Sequence, residues 1–119
     1  MKTESYKDLI VWQKSMQLVR EVYEITKLLP REEQYALSSQ MRRAAVSIPS
    51  NIAEGYKRKG LGEYIQFLSV ADASAAELET QLLITQDLYR SAKAPVALSL
   101  LVEVQKMLTT IIKKLKAKT

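Results

Sequence analysis

Hydrophobic residues recur along this chain at alternating steps of three and four positions, in four separate segments. This spacing is typical of amphipathic α-helices, because it places the apolar side chains on one face. In the first segment they form two stripes, about 100° apart around the helix axis. The first stripe consists of Leu9, Trp12, Met16, Val19 and Tyr23. The second stripe consists of Val11, Leu18, Val22, Ile25 and Leu29.

The first segment is too apolar to be covered by one neighbouring helix. Either it lies deep in a helical bundle, or one of its stripes forms a contact between subunits, and we favour the second interpretation. Trp12 belongs to the first stripe, so we interpret it as a packing residue rather than a platform for a ligand. Pro30 is expected to end this helix.

The second segment contains the sequence RRAAVSIPSNIAEG at residues 42–55. Its apolar residues lie within about 60° of one line down the helix, and they are Leu37, Met41, Ala44, Ala45, Ile48, Ile52 and Gly55. Pro49 interrupts this helix, because proline lacks an amide donor and its ring presses against the carbonyl of Ala45. We therefore expect a kink at Pro49. The side chains placed to satisfy the freed backbone groups are Ser47, Ser50 and Asn51.

The polar residues of the second segment form a stripe on the side away from the apolar line. They are Arg43, Ser47, Ser50, Glu54 and Arg58. This stripe is the candidate functional surface. The alternative interpretation is a solvated helix face, in which the serines cap the kink and Asn51 clamps the local backbone.

The third and fourth segments have the most regular patterns. The third carries Tyr64, Leu68, Ala71, Ala75, Leu78, Leu82, Thr85 and Tyr89, and the fourth carries Ala97, Leu101, Val104, Leu108, Ile111 and Leu115. We predict one domain over residues 1–119, with helices at about 8–29, 33–56, 62–89 and 95–116. Because the connections are short, the predicted fold is an all-α, antiparallel up-down-up-down four-helix bundle with its second helix kinked at Pro49.

Basic residues outnumber acidic ones by 18 to 13, which gives a net charge of +5 and favours acidic partners such as nucleic acid. The candidate nucleic-acid-binding residues are Arg42, Arg43, Lys57, Arg58 and Lys59. Lys57 to Lys59 precede Gly60 and Gly62, so this connection is predicted to be basic and flexible. It is equally consistent with a solvated loop whose cations complement the helix dipole. The third segment is acidic, and we expect its carboxylates to pair with Arg42 and Arg43 within or between subunits.

The chain contains no cysteine and no histidine. This excludes disulfides, thiolate metal sites and mechanisms that need an imidazole base, so we predict no cofactor, no metal and no enzymatic activity. An enzyme would need carboxylate chemistry at Glu54 with Ser47 or Ser50. No signal peptide and no uninterrupted apolar run of about 18 residues is recognisable, which predicts a cytoplasmic protein without membrane association.

Three blocks of this sequence resemble the bacterial 23S ribosomal RNA intervening-sequence proteins. They are YKDLIVWQKSMQLVREVYEIT, SSQMRRAAVSIPSNIAEG and YIQFLSVADASAAELETQLLI, and the resemblance extends from Tyr6 to about Leu115. The family's motifs fall on Arg42 and Arg43, on Ser47 to Asn51 and on Ala53 to Gly55. Tyr6 stands where phenylalanine is usual and Ser15 where alanine is usual, and neither change touches the central motif.

The resemblance implies a four-helix bundle that assembles into a homopentamer. Similar proteins are encoded in insertions within bacterial large-subunit ribosomal RNA genes, and a more distant relative is the nucleic-acid-binding accessory protein of diversity-generating retroelements. We therefore expect a non-enzymatic oligomer that binds nucleic acid, with structured RNA favoured. Few aromatic residues are expected at the basic positions, which predicts little base selectivity. The alternative is a homo-oligomeric scaffold that recruits a partner protein without binding nucleic acid itself.

Overall fold

The computed structural model describes residues 4–119, and over that range the chain contains helices and no strands. Four α-helices follow one another: α1 spans Ile10–Thr26, α2 spans Leu37–Tyr56, α3 spans Leu61–Leu88 and α4 spans Pro95–Lys116. Two short 3-10 turns, Tyr6–Asp8 and Arg31–Glu33, precede α1 and α2. The structure confirms the predicted all-α class with four helices.

The first helix begins later than the periodicity predicts. Tyr6–Asp8 forms a separate 3-10 turn that Ser5 caps, since its hydroxyl accepts from the Lys7 amide and its own amide donates to the Asp8 carboxylate. Leu9 is then extended, and α1 starts at Ile10. The capping box closes the 3-10 turn before α1 starts, so the two segments are distinct.

The second helix also begins later, at Leu37 rather than near residue 33. Pro30 is extended and leads into the 3-10 turn Arg31–Glu33. The Glu33 carboxylate accepts the Leu37 backbone N–H at 3.4 Å and the Tyr89 phenol O–H at 2.5 Å. This contact with the end of α3 holds the segment before α2 as a turn, whereas local periodicity alone predicts helix.

The helices form a ring in which each contacts two others. α1 packs on α2 and α4, and α3 packs on α2 and α4. The molecule is 46 Å long, which matches the 28 residues of α3 at 1.5 Å per residue, or about 42 Å. The second stripe of α1, the apolar line of α2 and the regular stripes of α3 and α4 supply the buried core.

α2 continues as one α-helix through Pro49, which is buried. The apolar line predicted for this helix is confirmed, because its members from Met41 to Gly55 are buried and Leu37 is half-buried. Near the end of α2, Gly55 packs directly against α3. A Cβ atom at Gly55 would lie 2.8 Å from Phe67 Cβ and 3.0 Å from Tyr64 Cδ1, so this approach requires glycine.

α4 is long and apolar enough, by length and composition, to cross a membrane, with a mean hydropathy of 1.4. One helix of this kind is a weak indication, because core helices of soluble proteins meet the same criterion. Only 22% of the apolar window is buried in the bundle. Glu103 and Lys106 interrupt it, and Ala97, Leu101, Val104 and Leu108 pack into the core.

Candidate nucleic-acid interface

Arg42 is held in a fixed orientation by the last turns of α1. Its guanidinium carbon lies 4.4 Å from the centroid of the Tyr23 ring, a cation–π contact. Its Nε donates a hydrogen bond of 2.9 Å to the Thr26 hydroxyl, which in turn donates to the Tyr23 carbonyl at 2.9 Å. α1 therefore orients a charged side chain that belongs to α2.

Neither Arg42 nor Arg43 forms an ion pair within residues 4–119, where the ion pairs involve Lys14, Lys27 and Arg58. The expected pairing with the acidic third helix is therefore wrong within one subunit. The physical reason is the direction in which the Arg42 side chain extends. The Arg42 side chain turns towards α1, whereas Glu79 of α3 accepts a hydrogen bond from Gln105 of α4 at 3.4 Å.

An open cavity of about 590 Å³ lies beside these two arginines. It is lined by Tyr23, Gln34, Tyr35, Ser39, Arg42, Arg43, Val46 and Ser47. The residues come from α1, from the turn before α2 and from the first half of α2. Its volume falls within the range of small-molecule sites, about 300–1,000 Å³. Arg42 is half-buried at this cavity and Arg43 is exposed. We call it the arginine cavity.

The other three candidate cations lie at the opposite end of α2. Arg42 and Lys57 are 15 positions apart, or about 22 Å along the helix. The connection that carries Lys57 and Lys59 is only four residues long, and Gly62 belongs to α3. The five predicted residues therefore form two groups, not one site.

Arg58 is the most constrained residue of the second group. Its guanidinium carbon lies 4.7 Å from the Phe67 ring centroid, and it is 3.9 Å from the carboxylates of Glu54 and Glu63. Exposed ion pairs at this distance contribute about 0–1 kcal/mol. They still offset part of the positive charge, so Lys57 and Lys59, both exposed, supply most of the charge that a ligand at this end would meet.

The central motif links α2 to α3. The Asn51 side-chain amide donates to the Ser47 carbonyl at 2.8 Å and to the Ser47 hydroxyl at 2.9 Å. The Ser47 and Ser74 hydroxyl groups share a hydrogen bond of 2.8 Å. Ser50 and Glu54 are exposed, and Pro49 and Gly55 are buried. Four of the six predicted motif residues are therefore buried or hydrogen-bonded within the bundle, and the two exposed ones lie between the two cation groups.

The family model of the 23S rRNA-intervening sequence proteins matches residues 7–110. The chain belongs to this family. The match begins in the turn before α1 and extends most of the way through α4. No curated protein sequence matches the chain significantly.

In this 23S rRNA-intervening sequence protein, sequence reasoning missed four residues around the predicted cations. Tyr23 and Thr26 orient Arg42, Tyr35 lines the arginine cavity, and Ser74 contacts the central motif. The periodicity assigned Tyr23 to an apolar stripe. The one available signal was its position three residues before Thr26 in the last turn of α1, which places both on one face.

No group of three or more acidic residues that would suit a metal ion occurs among residues 4–119 of this family member.

The pKa values of two tyrosines, Tyr89 and Tyr64, are raised. The hydrogen bond to the Glu33 carboxylate raises the pKa of Tyr89, with smaller contributions from burial and from the charges of Glu33 and Glu32. Burial raises the pKa of Tyr64, and the neighbouring Tyr56 adds to the shift. Both tyrosines therefore stay protonated at neutral pH.

Proposed function

We propose that this 23S rRNA-intervening sequence protein is a non-enzymatic, cytoplasmic protein that binds nucleic acid, with structured RNA as the favoured ligand. The observation that carries the proposal is the Arg42 guanidinium, which Tyr23 and Thr26 hold at the arginine cavity without an internal acidic partner in residues 4–119. Within that range Arg42 donates its side-chain hydrogen bond from Nε, so its two terminal amino groups remain to donate to a ligand.

A phosphate group suits this arrangement. Guanidinium donates two parallel hydrogen bonds to phosphate oxygens, and a side chain that is already oriented loses less entropy when it binds. Arg43 is the next residue and is exposed, so it adds a second positive charge at the mouth of the cavity. The net charge of +5 adds non-specific attraction to a polyanion.

Lys57 and Lys59 provide a second contact with the same backbone. They lie about 22 Å along α2 from Arg42. One RNA molecule can contact both cation groups, because a nucleic-acid backbone presents phosphates over a distance of this size. The family name supports a connection with ribosomal RNA genes.

The experiment is fluorescence anisotropy of a labelled RNA hairpin across a salt series. Each lost phosphate contact reduces the slope of log K against log salt by about 0.7 for single strands and 0.9 for duplex. The double variant Arg42→Gln, Arg43→Gln should therefore reduce the slope by about 1.4–1.8 and weaken binding. The matched control is Lys93→Gln with Lys106→Gln, two exposed lysines on other segments, which lowers the net charge equally.

Two results would contradict the proposal. The first is an absence of wild-type binding to hairpin RNA, single-stranded DNA and duplex DNA near physiological salt. The second is an equal loss of affinity in the arginine variant and the lysine control, since that would mean the protein attracts RNA only by its net charge. Circular dichroism should be recorded for every variant to check that it is folded.

We also infer that the protein assembles into a homo-oligomer, with the pentamer favoured. The support is the first stripe of α1, in which Trp12, Met16 and Val19 remain only half-buried. They line an open groove of about 300 Å³ with Pro49 and other residues of α2. A charged Met16→Glu variant should lower the mass measured by light scattering. A wild-type monomer at micromolar concentration would contradict the inference.

The alternative function is a scaffold that recruits a partner protein. Its support is a set of exposed apolar side chains in the last turns of α3 and the first turn of α4, which are Leu83, Ile84, Leu88 and Val96. In a scaffold, Arg42, Arg43 and Glu54 hold adjacent subunits together. Arg43→Ala would then change the oligomer mass, with no nucleic-acid binding to lose, whereas the proposed function predicts an unchanged mass and weaker RNA binding.

We propose further that the helices alternate in direction around the bundle. On α2 and α3, Met41 contacts Thr85, Ser47 contacts Ser74 and Gly55 approaches Phe67, so positions advance along one helix as they recede along the other. On α1 and α4, Lys14 pairs with Glu103 at 2.9 Å. The kink at Pro49 stays a prediction, because proline removes one hydrogen bond from the helix.

A further inference from the structure

Tyr35 is an aromatic side chain that the fold leaves in solvent. It lies in the turn between the Arg31–Glu33 segment and α2, and 89% of its surface is exposed. No other large hydrophobic side chain described in residues 4–119 is as exposed. Tyr35 lines the arginine cavity together with Arg42 and Arg43. An exposed aromatic ring beside two cations is suited to bind a nucleotide, because the base can stack on the ring while the cations neutralise the phosphate.

We propose that the arginine cavity takes one unpaired nucleotide, whose base stacks on Tyr35 and whose phosphate is bound by Arg42 and Arg43. This inference rests on the proposed nucleic-acid binding and specifies the ligand of the same site. It adds one stacking contact to the expectation of little base selectivity, which was based on few exposed aromatic side chains near the cations, and stacking itself discriminates little between bases.

Of the two aromatic rings that line the arginine cavity, Tyr35 is the more exposed and the better placed to stack on a base. Tyr23 also lines it, but the Arg42 guanidinium already covers one face of the Tyr23 ring at 4.4 Å. The amide of Gln34 and the hydroxyl of Ser39 line the same space and offer donors and acceptors to the edge of a base. The volume of about 590 Å³ is adequate for a base, a sugar and a phosphate.

The aromatic rings near the other cation group are less exposed than Tyr35. Tyr6 lines an open cavity with Lys57 and Arg58, but it is half-buried and makes an edge contact with Trp12 at 5.5 Å between ring centroids. Near Lys57 and Lys59, the Phe67 ring is covered by the Arg58 guanidinium, and Tyr64 makes an edge contact with Tyr56 at 6.2 Å between centroids. Among residues 4–119, that end of α2 therefore offers charge and no ring as exposed as Tyr35. The two ends are suited to different parts of one RNA, an unpaired nucleotide at the arginine cavity and the phosphate backbone at Lys57 and Lys59.

The test compares a labelled single-stranded RNA with a blunt RNA duplex of the same sequence, by anisotropy at one salt concentration. Tyr35→Ala should weaken single-strand binding roughly 5- to 150-fold, the range that corresponds to about 1–3 kcal/mol per stacked base. Duplex binding should change less than about twofold. Tyr35→Phe keeps the ring and should bind like the wild type. The control Ile10→Ala removes another exposed apolar side chain and should change neither affinity.

Each contrary result has a distinct meaning. If the wild type binds single strands and Tyr35→Ala binds them equally well, the stacking is refuted and the proposed function stands. An equal loss for single strand and duplex refutes the unpaired nucleotide, and a loss in Tyr35→Phe refutes the ring as the binding group. If the wild type binds neither RNA, both the proposed function and this inference fail. Because Tyr35 is so exposed, its substitutions should leave folding intact.

Discussion

The same substitution, glycine to alanine, should have opposite effects at two positions of this protein. Gly55 lies inside α2 against α3, where an added Cβ would be 2.8 Å from Phe67 Cβ and 3.3 Å from the Tyr64 carbonyl oxygen. Gly62 lies in the first turn of α3, where an added Cβ meets no atom within 4 Å. The two variants therefore share their chemistry and differ in the space available.

The expected free energies follow from two opposing effects. Alanine is favoured over glycine in a helix by up to about 1 kcal/mol, and both variants gain this. At Gly55 the extra methyl group also forces two packed helices apart, which costs about 1–3 kcal/mol. Gly62→Ala should thus be stabilised by up to about 1 kcal/mol, and Gly55→Ala should be less stable than Gly62→Ala by about 1–3 kcal/mol.

Thermal unfolding by circular dichroism measures this difference. For a chain of this size 1 kcal/mol corresponds to about 3–5 °C in Tm, so the two variants should differ by roughly 3–15 °C. Protein concentration must be equal in all samples, because the Tm of an oligomer depends on it. A Gly55→Ala protein that melts at or above the Gly62→Ala protein would refute the close approach of α2 and α3 at this point.

Three further predictions concern contacts between helices. The pKa of Tyr89 is raised, so the stability that its hydrogen bond to Glu33 contributes is fully present below about pH 10 and is lost as pH rises through the folded-state pKa. Tyr89→Phe should reduce the loss of stability in alkaline denaturation, and an unchanged pH profile would contradict this. Ser74→Ala should lower the free energy of unfolding, measured in urea, by about 0.5–1.5 kcal/mol, because it removes the hydrogen bond between the Ser74 and Ser47 hydroxyl groups. A free energy of unfolding equal to that of the wild type would rule out that bond. Thr26→Val should weaken RNA binding, because it frees Nε of Arg42. An affinity equal to that of the wild type would show that RNA binding does not depend on the hydrogen bond from Arg42 to Thr26.

The helical stripes could be predicted from the sequence because they depend on local periodicity. The core positions of α3 and α4, such as Leu78 and Leu101, follow directly from it. The start of α2 could not be predicted in this way. It depends on the contact of Glu33 with Tyr89, 56 positions later in the chain, and no local pattern contains that information.

The candidate site shows the same limit. Arg42 and Arg43 are adjacent in sequence, yet side chains of neighbouring residues point about 100° apart on a helix. Arg42 reaches Thr26, 16 positions earlier, and Arg43 remains exposed. Composition identifies both as cations, but only the packing of α1 on α2 determines which one is oriented. Tyr35 gave no periodic signal because it lies in a turn.

If Arg42 binds phosphate as proposed, its bond to Thr26 couples ligand binding to the order of the last turn of α1. Thr26 is the last residue of α1, where helix ends ordinarily fray. A phosphate that requires the oriented guanidinium favours the state in which this turn is formed, and by thermodynamic linkage a formed turn raises the affinity for phosphate by the same factor. Amide hydrogen exchange at the end of α1 should therefore slow when RNA binds, although Thr26 itself does not line the cavity.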